Sequence, residues 1–155
     1  MMTKLSCDVI AALQGRTLVT AESCTGGGIG AALTAVPGSS LVYKGGIISY
    51  TNEVKVSLLG VNDAILKTVG PVSTEVAKAM AEGVRIRLNG DVAVSVTGLA
   101  GPAGDEFGNP VGTVFIGYCD SSVVFSKEFH FEGDRETVRK QAIIEALKII
   151  LDKNA

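Results

Sequence analysis

Three short segments of the sequence consist mainly of small and polar residues, which suit a binding site better than a hydrophobic core. They cover residues 21–27, 50–55 and 96–102, and each lies at the end of a predicted strand. In open α/β sheets, ligands bind in the crevice outside the carboxyl ends of the strands. The three segments are therefore well placed to converge on one site.

Ser23 is the candidate nucleophile of the first segment, because it precedes a Gly-rich helix start whose free backbone N–H groups could stabilise an oxyanion. Most serines at such a position cap the helix instead, and Ser23 or Thr25 is the expected cap. Cys24 is intrinsically the stronger nucleophile, but a thiol at this position can also point into the core. Judged from its own position alone, Ser23 is favoured as a cap, and Cys24 ranks second as a nucleophile.

A serine nucleophile needs a base, and the single histidine does not offer a convincing one. His130 lies near the end of a predicted strand and fits no comfortable Ser-His-Asp arrangement. Lys55 is the better candidate, since a lysine desolvated in a pocket can lose its proton near neutral pH. Tyr50, five residues earlier, could relay that proton. The competing interpretations are an exposed helix lysine and a tyrosine at an amphipathic strand end, which are both common.

Two arginines at the start of the last predicted helix form a candidate anion site. Arg135 and Arg139 are four residues apart, so they share one helix face near the positive end of the helix dipole. That arrangement suits a phosphate or a carboxylate. The alternative is a solvated helix start, in which Glu132, Asp134 and Glu136 neutralise the arginines.

Two other classes of site receive little support from the sequence. Gly26, Gly28 and Ala31 satisfy the nucleotide-binding pattern G-x-G-x-x-A, but residues 21–25 separate the strand from the first glycine. No acidic residue ends a second strand at the spacing that a ribose contact needs, and neither Gly-rich loop ends as a P-loop does. No His or Cys pair has the spacing of metal ligands, so a metal-centred hydrolase is not favoured.

The elements that carry these residues alternate along the chain. Apolar periodicity and turn residues predict the order α-β-α-β-α-α-β-β-β-α. A bulge or close backbone approach is expected at Gly45 and Gly46, and a turn at residues 120–121 predicts a hairpin. Helices interleaved with strands predict one α/β domain over residues 1–155, with helices on both faces of a mixed sheet. The predicted helices cover residues 5–13, 26–36, a short stretch from 52, 73–89 and 134–151, and the predicted strands 17–21, 41–50, 91–97, 111–119 and 122–131.

The composition argues against several classes of protein. The chain has 155 residues, 46% hydrophobic and 19% charged, as in one ordinary globular domain. A net charge of -2 argues against general nucleic-acid binding, and charges interrupt every apolar stretch before it reaches the length of a membrane span. The first residues lack the pattern of a secretory signal, so the cytoplasm is the expected location. Three widely spaced cysteines, Cys7, Cys24 and Cys119, predict reduced thiols rather than a disulfide framework.

Five spaced motifs give the sequence a family resemblance. In this order, they resemble the CinA C-terminal domain family, the nicotinamide-nucleotide amidohydrolases, which are also known as competence/damage-inducible CinA-like proteins. The resemblance spans nearly the whole chain. It rests on Ala21-Glu22-Ser23-Cys24-Thr25-Gly26-Gly27, Tyr43-x-Gly45-Gly46 with Tyr50 and residues 52–55, Val96-Thr97-Gly98-Leu99-Ala100-Gly101-Pro102, Pro110-Val111-Gly112-Thr113-Val114 and Gly133-Asp134-Arg135-x-x-Val138-Arg139.

The resemblance implies an enzyme that hydrolyses the carboxamide of nicotinamide mononucleotide in pyridine-nucleotide salvage, giving nicotinic acid mononucleotide and ammonia. It makes Ser23 the nucleophile, Lys55 its base and Tyr50 a proton relay, with one of the two arginines as the anion contact. Backbone N–H groups near Gly26 or Gly101 are expected to hold the oxyanion. It also implies a three-layer α/β/α fold, a homodimer or larger homo-oligomer, and no metal or cofactor. The implied substrate-binding residues are Thr25, Gly26, Gly27, Gly46, Thr97, Gly98, Ala100, Gly101, Arg135 and Arg139.

The loop of residues 98–112 is where this sequence departs from the family pattern. Relatives commonly carry a second glycine after Gly104 and a lysine before the Pro-Val-Gly-Thr motif, whereas this chain has Asp105 and Asn109. Loops of this length in compact domains tend to be functional. Two further hypotheses therefore stand beside the first: a catalytically inactive module that binds a nucleotide or a partner, and an amidohydrolase that acts on a different amide.

Overall fold

A five-stranded mixed sheet forms the centre of the computed structural model, which describes all residues from 1 to 155. The strands are β1 (Leu18–Glu22), β2 (Tyr43–Ile48), β3 (Val92–Gly98), β4 (Thr113–Cys119) and β5 (Val124–His130). They lie in the order β2-β1-β3-β4-β5. β1 pairs in parallel with β2 and β3, whereas β3, β4 and β5 are antiparallel, so the predicted mixed sheet and hairpin are confirmed.

Six helices cover both faces of this sheet: α1 (Met2–Ala12), α2 (Gly28–Thr34), α3 (Asn52–Leu59), α4 (Asp63–Thr68), α5 (Thr74–Arg87) and α6 (Arg135–Asn154). Because side chains alternate across a strand, β3 divides its residues between two cores. Val92, Val94 and Val96 pack with α1, α2 and α6, whereas Ala93 packs with α3, α4 and α5. The protein is therefore a three-layer α/β/α domain, as predicted. None of its helices combines the length and the hydropathy needed to cross a lipid bilayer.

One helix, α4, is missing from the predicted order. It has only 6 residues, too few for the apolar periodicity of a helix to be recognised. Its start is set by Asn62, whose Oδ1 accepts hydrogen bonds from the backbone N–H groups of Ala64 and Ile65. The helix therefore depends on a side-chain cap and on tertiary packing rather than on its own pattern.

β2 contains the irregularity that its two glycines predict. Leu18 pairs with Tyr43 and Val19 pairs with Gly45, so one extra residue of β2 is inserted at this point. The next glycine, Gly46, lies so close to β1 that an added Cβ would overlap the side chain of Thr20. Both the bulge and the close backbone approach are confirmed.

The start of α2 differs from the prediction that Ser23 or Thr25 caps it. The N-cap residue is a glycine, which makes no side-chain hydrogen bond. The buried carboxylate of Glu22 takes the role of the cap and accepts hydrogen bonds from the backbone N–H of Ile29 at 2.9 Å and of Gly30 at 3.1 Å. It also accepts a bond from the Thr25 hydroxyl at 2.7 Å. A negative group from the preceding strand thus stabilises the positive end of the helix.

The carboxyl ends of β1, β2 and β3 lie side by side at one edge of the sheet. Glu22 pairs with Ile48 of β2 on one side and with Val96 of β3 on the other. The backbone contacts continue past the strands, where the Ser23 N–H donates to the Val96 carbonyl at 3.0 Å and the Ser49 N–H to the Glu22 carbonyl at 2.8 Å. The three polar segments therefore converge, as their positions after parallel strands predict.

Candidate active site

Ser23 lies in the tight turn between β1 and α2 and is only 6% exposed. The turn is held from two sides. Glu22 binds the Thr25 hydroxyl, and Arg139 of α6 donates from Nε to the Cys24 carbonyl at 3.0 Å and from Nη2 to the Thr25 carbonyl at 3.2 Å. The position of the Ser23 hydroxyl is therefore fixed by hydrogen bonds to its neighbours in the chain.

Lys55 contacts the Ser23 hydroxyl directly. It lies in the first turn of α3, which the Thr51 side chain caps by accepting a hydrogen bond from the Val54 N–H. Its Nζ lies 3.1 Å from Ser23 Oγ, 3.0 Å from the Ser49 carbonyl and 3.2 Å from the Tyr50 carbonyl. An uncharged amine can donate its two hydrogens to the two carbonyls and direct its lone pair at the Ser23 hydroxyl.

The surroundings of Lys55 favour that uncharged form. The residue is 2% exposed and forms no salt bridge with a carboxylate. Burial lowers the pKa of Lys55 from 10.5 to about 8. Desolvation disfavours the charged state of an amine, so Lys55 has a neutral fraction near physiological pH that an ordinary lysine lacks. Ser23 and Lys55 together have the geometry of an activated nucleophile.

Cys24 is less suited to attack. Burial raises the pKa of its thiol to about 11, so the thiol stays protonated at neutral pH. Because the thiolate is the reactive form of cysteine, this residue is a weak nucleophile here. The order in which the sequence ranks Ser23 and Cys24 agrees with these surroundings.

Ser23 and Lys55 line a cavity of about 260 Å³ at the carboxyl edge of the sheet. Of the predicted contacts, Thr97, Gly98, Ala100, Gly101 and Arg135 line it. Sequence reasoning missed two residues of its apolar wall, Pro71 and Val72, because a proline and a valine between helices carry no chemical signal. The complete lining is Ser23, Cys24, Tyr50, Asn52, Lys55, Pro71, Val72, Thr97, Gly98, Leu99, Ala100, Gly101, Ala103 and Arg135.

The other predicted contacts, Thr25, Gly26, Gly27, Gly46 and Arg139, do not line this cavity. Thr25 is bound to Glu22, and Arg139 holds the turn that carries Ser23. Gly46 packs against Thr20 of β1. The structure thus places Thr25 and Arg139 in the support of the Ser23 turn, whereas Gly27 and Gly46 line a separate cavity with Thr20 and Glu22.

The N–H groups at the start of α2 are not free to stabilise an oxyanion, so that part of the expectation is wrong, whereas the position expected near Gly101 stays a prediction. The first N–H groups of that helix donate to the Thr25 carbonyl and to the Glu22 carboxylate. The backbone N–H groups of Cys24, Ala100 and Gly101 make no hydrogen bond within the protein, and all three residues line the cavity. They are the candidate oxyanion donors.

Arg135, rather than Arg139, is the arginine of the cavity. Its Nη1 donates to the Gly101 carbonyl at 2.6 Å and its Nη2 to the Tyr50 hydroxyl at 3.2 Å. Tyr50 is 58% exposed, and its backbone carbonyl rather than its phenol contacts Lys55. The contacts therefore place the Tyr50 phenol beside Arg135, and the relay role remains a prediction without a supporting contact.

His130 lies outside the cavity. Its Nε2 pairs with Glu128 at 2.6 Å, and its Nδ1 lies 3.4 Å from the Thr113 hydroxyl. The structure contains no group of three or more His, Cys, Asp or Glu side chains arranged to hold a metal ion. The side chains of the cavity therefore point to acid–base and nucleophilic chemistry by serine and lysine.

Comparison with known proteins gives a match over almost the whole chain. The family model described as CinA C-terminal domain matches residues 2–153. A nicotinamide-nucleotide amidohydrolase PncC from Pseudomonas putida is 47% identical over 134 residues, which are 86% of this chain and 84% of that protein. A CinA-like protein from Thermosynechococcus vestitus is 50% identical over 138 residues, which are 87% of this chain and 33% of that protein. The chain thus spans about a third of the length of the CinA-like relative and most of the length of PncC.

Solved structures show the same fold. The competence damage-inducible protein A from Klebsiella pneumoniae has a TM-score of 0.95 at 35% identity, covering 98% of this chain and 96% of that one. A competence-damaged protein superfamily member from Enterobacter cloacae has a TM-score of 0.97 at 29% identity, and the match covers 100% of this chain and 93% of that chain. The three-layer architecture extends over both proteins almost completely.

Proposed function

The chain belongs to the CinA C-terminal domain family, and we propose that it is a nicotinamide-nucleotide amidohydrolase. In this proposal it hydrolyses the carboxamide of nicotinamide mononucleotide to nicotinic acid mononucleotide and ammonia. The observation that carries the proposal is the buried Lys55 amine, 3.1 Å from the Ser23 hydroxyl at the edge of a cavity. The 47% identity to the nicotinamide-nucleotide amidohydrolase PncC from Pseudomonas putida supports the choice of substrate.

In the first step, Ser23 Oγ attacks the amide carbon while the neutral Lys55 amine takes the hydroxyl proton. Protonated Lys55 then donates a proton to the amide nitrogen, and the C–N bond breaks. Ammonia departs, and the acyl group remains as an ester on Ser23. Water then attacks the ester carbon, its proton passes to Lys55, and Lys55 returns a proton to Ser23 as the acid departs. The cycle is balanced, because one water is consumed and the enzyme is restored.

The remaining groups of the cavity orient the substrate and stabilise charge. The free N–H groups of Cys24, Ala100 and Gly101 are suited to the developing oxyanion, at about 3 kcal/mol per donor in comparable sites. Arg135 would bind the phosphate beside Tyr50, which fixes the nucleotide without entering the chemistry. The apolar wall would pack against the pyridinium ring.

The test of this proposal is ammonia release from nicotinamide mononucleotide by the purified protein. A panel that includes nicotinamide, nicotinamide riboside and unrelated carboxamides separates this activity from hydrolysis of a different amide. An inactive binding module would instead show an increase of the melting temperature with the nucleotide and no ammonia.

The pH dependence of the reaction should follow the Lys55 amine. We expect kcat/KM to rise with pH through an apparent pKa near 8, the value that burial gives Lys55, and to level off above it. Below that value the amine is protonated and cannot act as a base, so kcat/KM should fall about tenfold per pH unit. Initial rates of ammonia release between pH 6 and pH 9.5, in buffers of constant ionic strength, measure the profile. A profile that is flat or falls across this range would contradict Lys55 as the base.

Arg135→Ala should weaken substrate binding more than it slows chemistry. Losing a charge-assisted contact to phosphate is expected to raise KM for nicotinamide mononucleotide by roughly 10- to 100-fold, with kcat changed less than about threefold. The matched control is Lys140→Ala, which removes one positive charge from an exposed position of the same helix. Kinetics with nicotinamide riboside, which lacks the phosphate, should be unaffected by Arg135→Ala. An equal effect on both substrates would exclude the phosphate role.

A further inference from the structure

The segment between α4 and α5 forms one wall of the cavity and has no regular structure. Pro71 and Val72 of this segment line the cavity. Three successive backbone carbonyls accept hydrogen bonds from side chains: Gly70 from Ser73 Oγ at 2.9 Å, Pro71 from Thr97 Oγ1 at 2.8 Å, and Val72 from Asn109 Nδ2 at 3.2 Å. Each carbonyl of this wall is thus held by its own side-chain hydrogen bond.

The donor to Val72 is itself oriented by a neighbouring carboxylate. Asp105 Oδ2 accepts from Asn109 Nδ2 at 2.9 Å, while Asp105 Oδ1 accepts from the backbone N–H groups of Asn109 at 2.9 Å and Phe107 at 3.0 Å. Burial raises the pKa of Asp105, but the hydrogen bonds from Asn109 and Phe107 outweigh it and lower that pKa below its usual value. The carboxylate is therefore ionised at neutral pH and can only accept, which directs both amide hydrogens of Asn109 to fixed partners.

The wall separates the cavity from a second one. A neighbouring cavity of about 410 Å³ is lined by Asn52, Leu66, Lys67, Pro71, Asp105, Glu106 and Phe107. Asn52 and Pro71 line both cavities, so the partition between them is one residue thick at these points. The Phe107 ring fills the space beside Gly70, where an added Cβ would overlap it. A shift of this segment would widen the substrate cavity at the expense of the other.

We propose that Asp105 and Asn109 are positioning residues for the substrate, which hold the wall of Pro71 and Val72 against the bound nucleotide. This inference rests on the proposed function. Neither residue lines the cavity beside Ser23 and Lys55, and both act through the Asn109 bond to the Val72 carbonyl. Their loss should therefore weaken binding of the substrate and leave the chemical groups intact.

Two variants separate the wall contact from the fold of the loop. Asn109→Ala removes both amide contacts. Asp105→Asn combined with Asn109→Asp exchanges donor and acceptor, so a side-chain bond within the loop can re-form while the donor to Val72 is lost. Each variant is expected to raise KM for nicotinamide mononucleotide roughly tenfold and to change kcat less than about threefold.

Glu106→Ala, at an exposed neighbouring position, is the control, and its KM and kcat should match those of the wild type. Wild-type KM in both variants, or a loss confined to kcat, would overturn the proposal.

Hydrogen exchange of the peptide covering residues 69–76 tests the positioning without any turnover. Exchange should be faster in Asn109→Ala and in the exchanged pair than in the wild type, and unchanged in Glu106→Ala. Unchanged exchange in both variants overturns the inference, whether or not the protein is active. Faster exchange in the two variants, combined with a wild type that releases no ammonia, would support the positioning of the wall and reject the proposed substrate. The failure of this inference and the failure of the proposed function are therefore distinguishable.

Discussion

Ser23→Ala is expected to reduce ammonia release from nicotinamide mononucleotide by on the order of a thousandfold or more, because it removes the atom that attacks the amide. The Ser23 hydroxyl makes hydrogen bonds only with the Lys55 amine at 3.1 Å and the Tyr50 carbonyl at 3.5 Å. Its loss leaves the turn intact, since neither the bond that the Glu22 carboxylate accepts from Thr25 nor the bond that Arg139 donates to Cys24 involves this side chain. The variant should therefore fold and bind the nucleotide normally. Initial rates and the shift of the melting temperature with the nucleotide measure both properties.

Ser49 supplies the matched control for this experiment. It is buried at the same edge of the sheet, its hydroxyl has no hydrogen-bond partner, and its contact to Lys55 is made by the backbone carbonyl. Ser49→Ala should therefore keep activity within a few-fold of the wild type. If Ser23→Ala retained more than about a tenth of wild-type activity, serine would not be the nucleophile.

Lys55→Met should abolish turnover to a similar degree while it changes stability in a pH-dependent way. The pKa of Lys55 is about 8 in the folded protein and 10.5 for an ordinary lysine, so the unfolded chain binds more protons between these values. The wild type therefore gains stability as pH rises from 8 to 10.5, and below pH 8 the buried charge costs about 3 kcal/mol. Methionine carries no such charge. The free energy of unfolding of the variant minus that of the wild type should therefore be about 3 kcal/mol larger at pH 7 than at pH 10.5.

Chemical denaturation of both proteins at pH 7 and at pH 10.5 measures this difference. All other ionisable groups are present in both proteins, so their effects on stability cancel in the comparison. The control is Lys140→Met, which replaces an exposed lysine of α6 and should show no comparable pH dependence. A stability difference between Lys55→Met and the wild type that is independent of pH would mean that the amine is not desolvated. The acid–base role of Lys55 would then lose its basis.

The fold follows from the sequence wherever local patterns determine it. The amphipathic pattern of residues 73–89 and the turn at 120–121 predict α5 and the hairpin of β4 and β5, and both are present. The helix α4 was missed because a six-residue element has too few turns to show periodicity. The capping pattern predicts the wrong residue for α2 because Glu22 reaches the helix start from a strand, whereas the pattern considers only residues next to the helix.

The site was predictable in its chemical groups and less so in its walls. Ser23 and Lys55 stand out by residue type, and parallel strands bring their segments to one edge. Arg135 and Arg139 share a helix face, yet a difference of one turn places one in the cavity and the other behind the Ser23 turn. Such a choice depends on the depth at which α6 packs, which spacing alone cannot give. Val72 has no polar group to mark it, so only the tertiary structure shows its role.

Partitioning of the acyl group between water and hydroxylamine tests most directly whether Ser23 forms a covalent intermediate. Purified protein is incubated with nicotinamide mononucleotide and increasing hydroxylamine, and the acid, the hydroxamate and ammonia are quantified. We predict that the wild type diverts product from nicotinic acid mononucleotide to its hydroxamate without a fall in ammonia release, and that Ser23→Ala forms neither product. Formation of the acid alone at every hydroxylamine concentration, or of hydroxamate by Ser23→Ala, would contradict the Ser23–Lys55 mechanism.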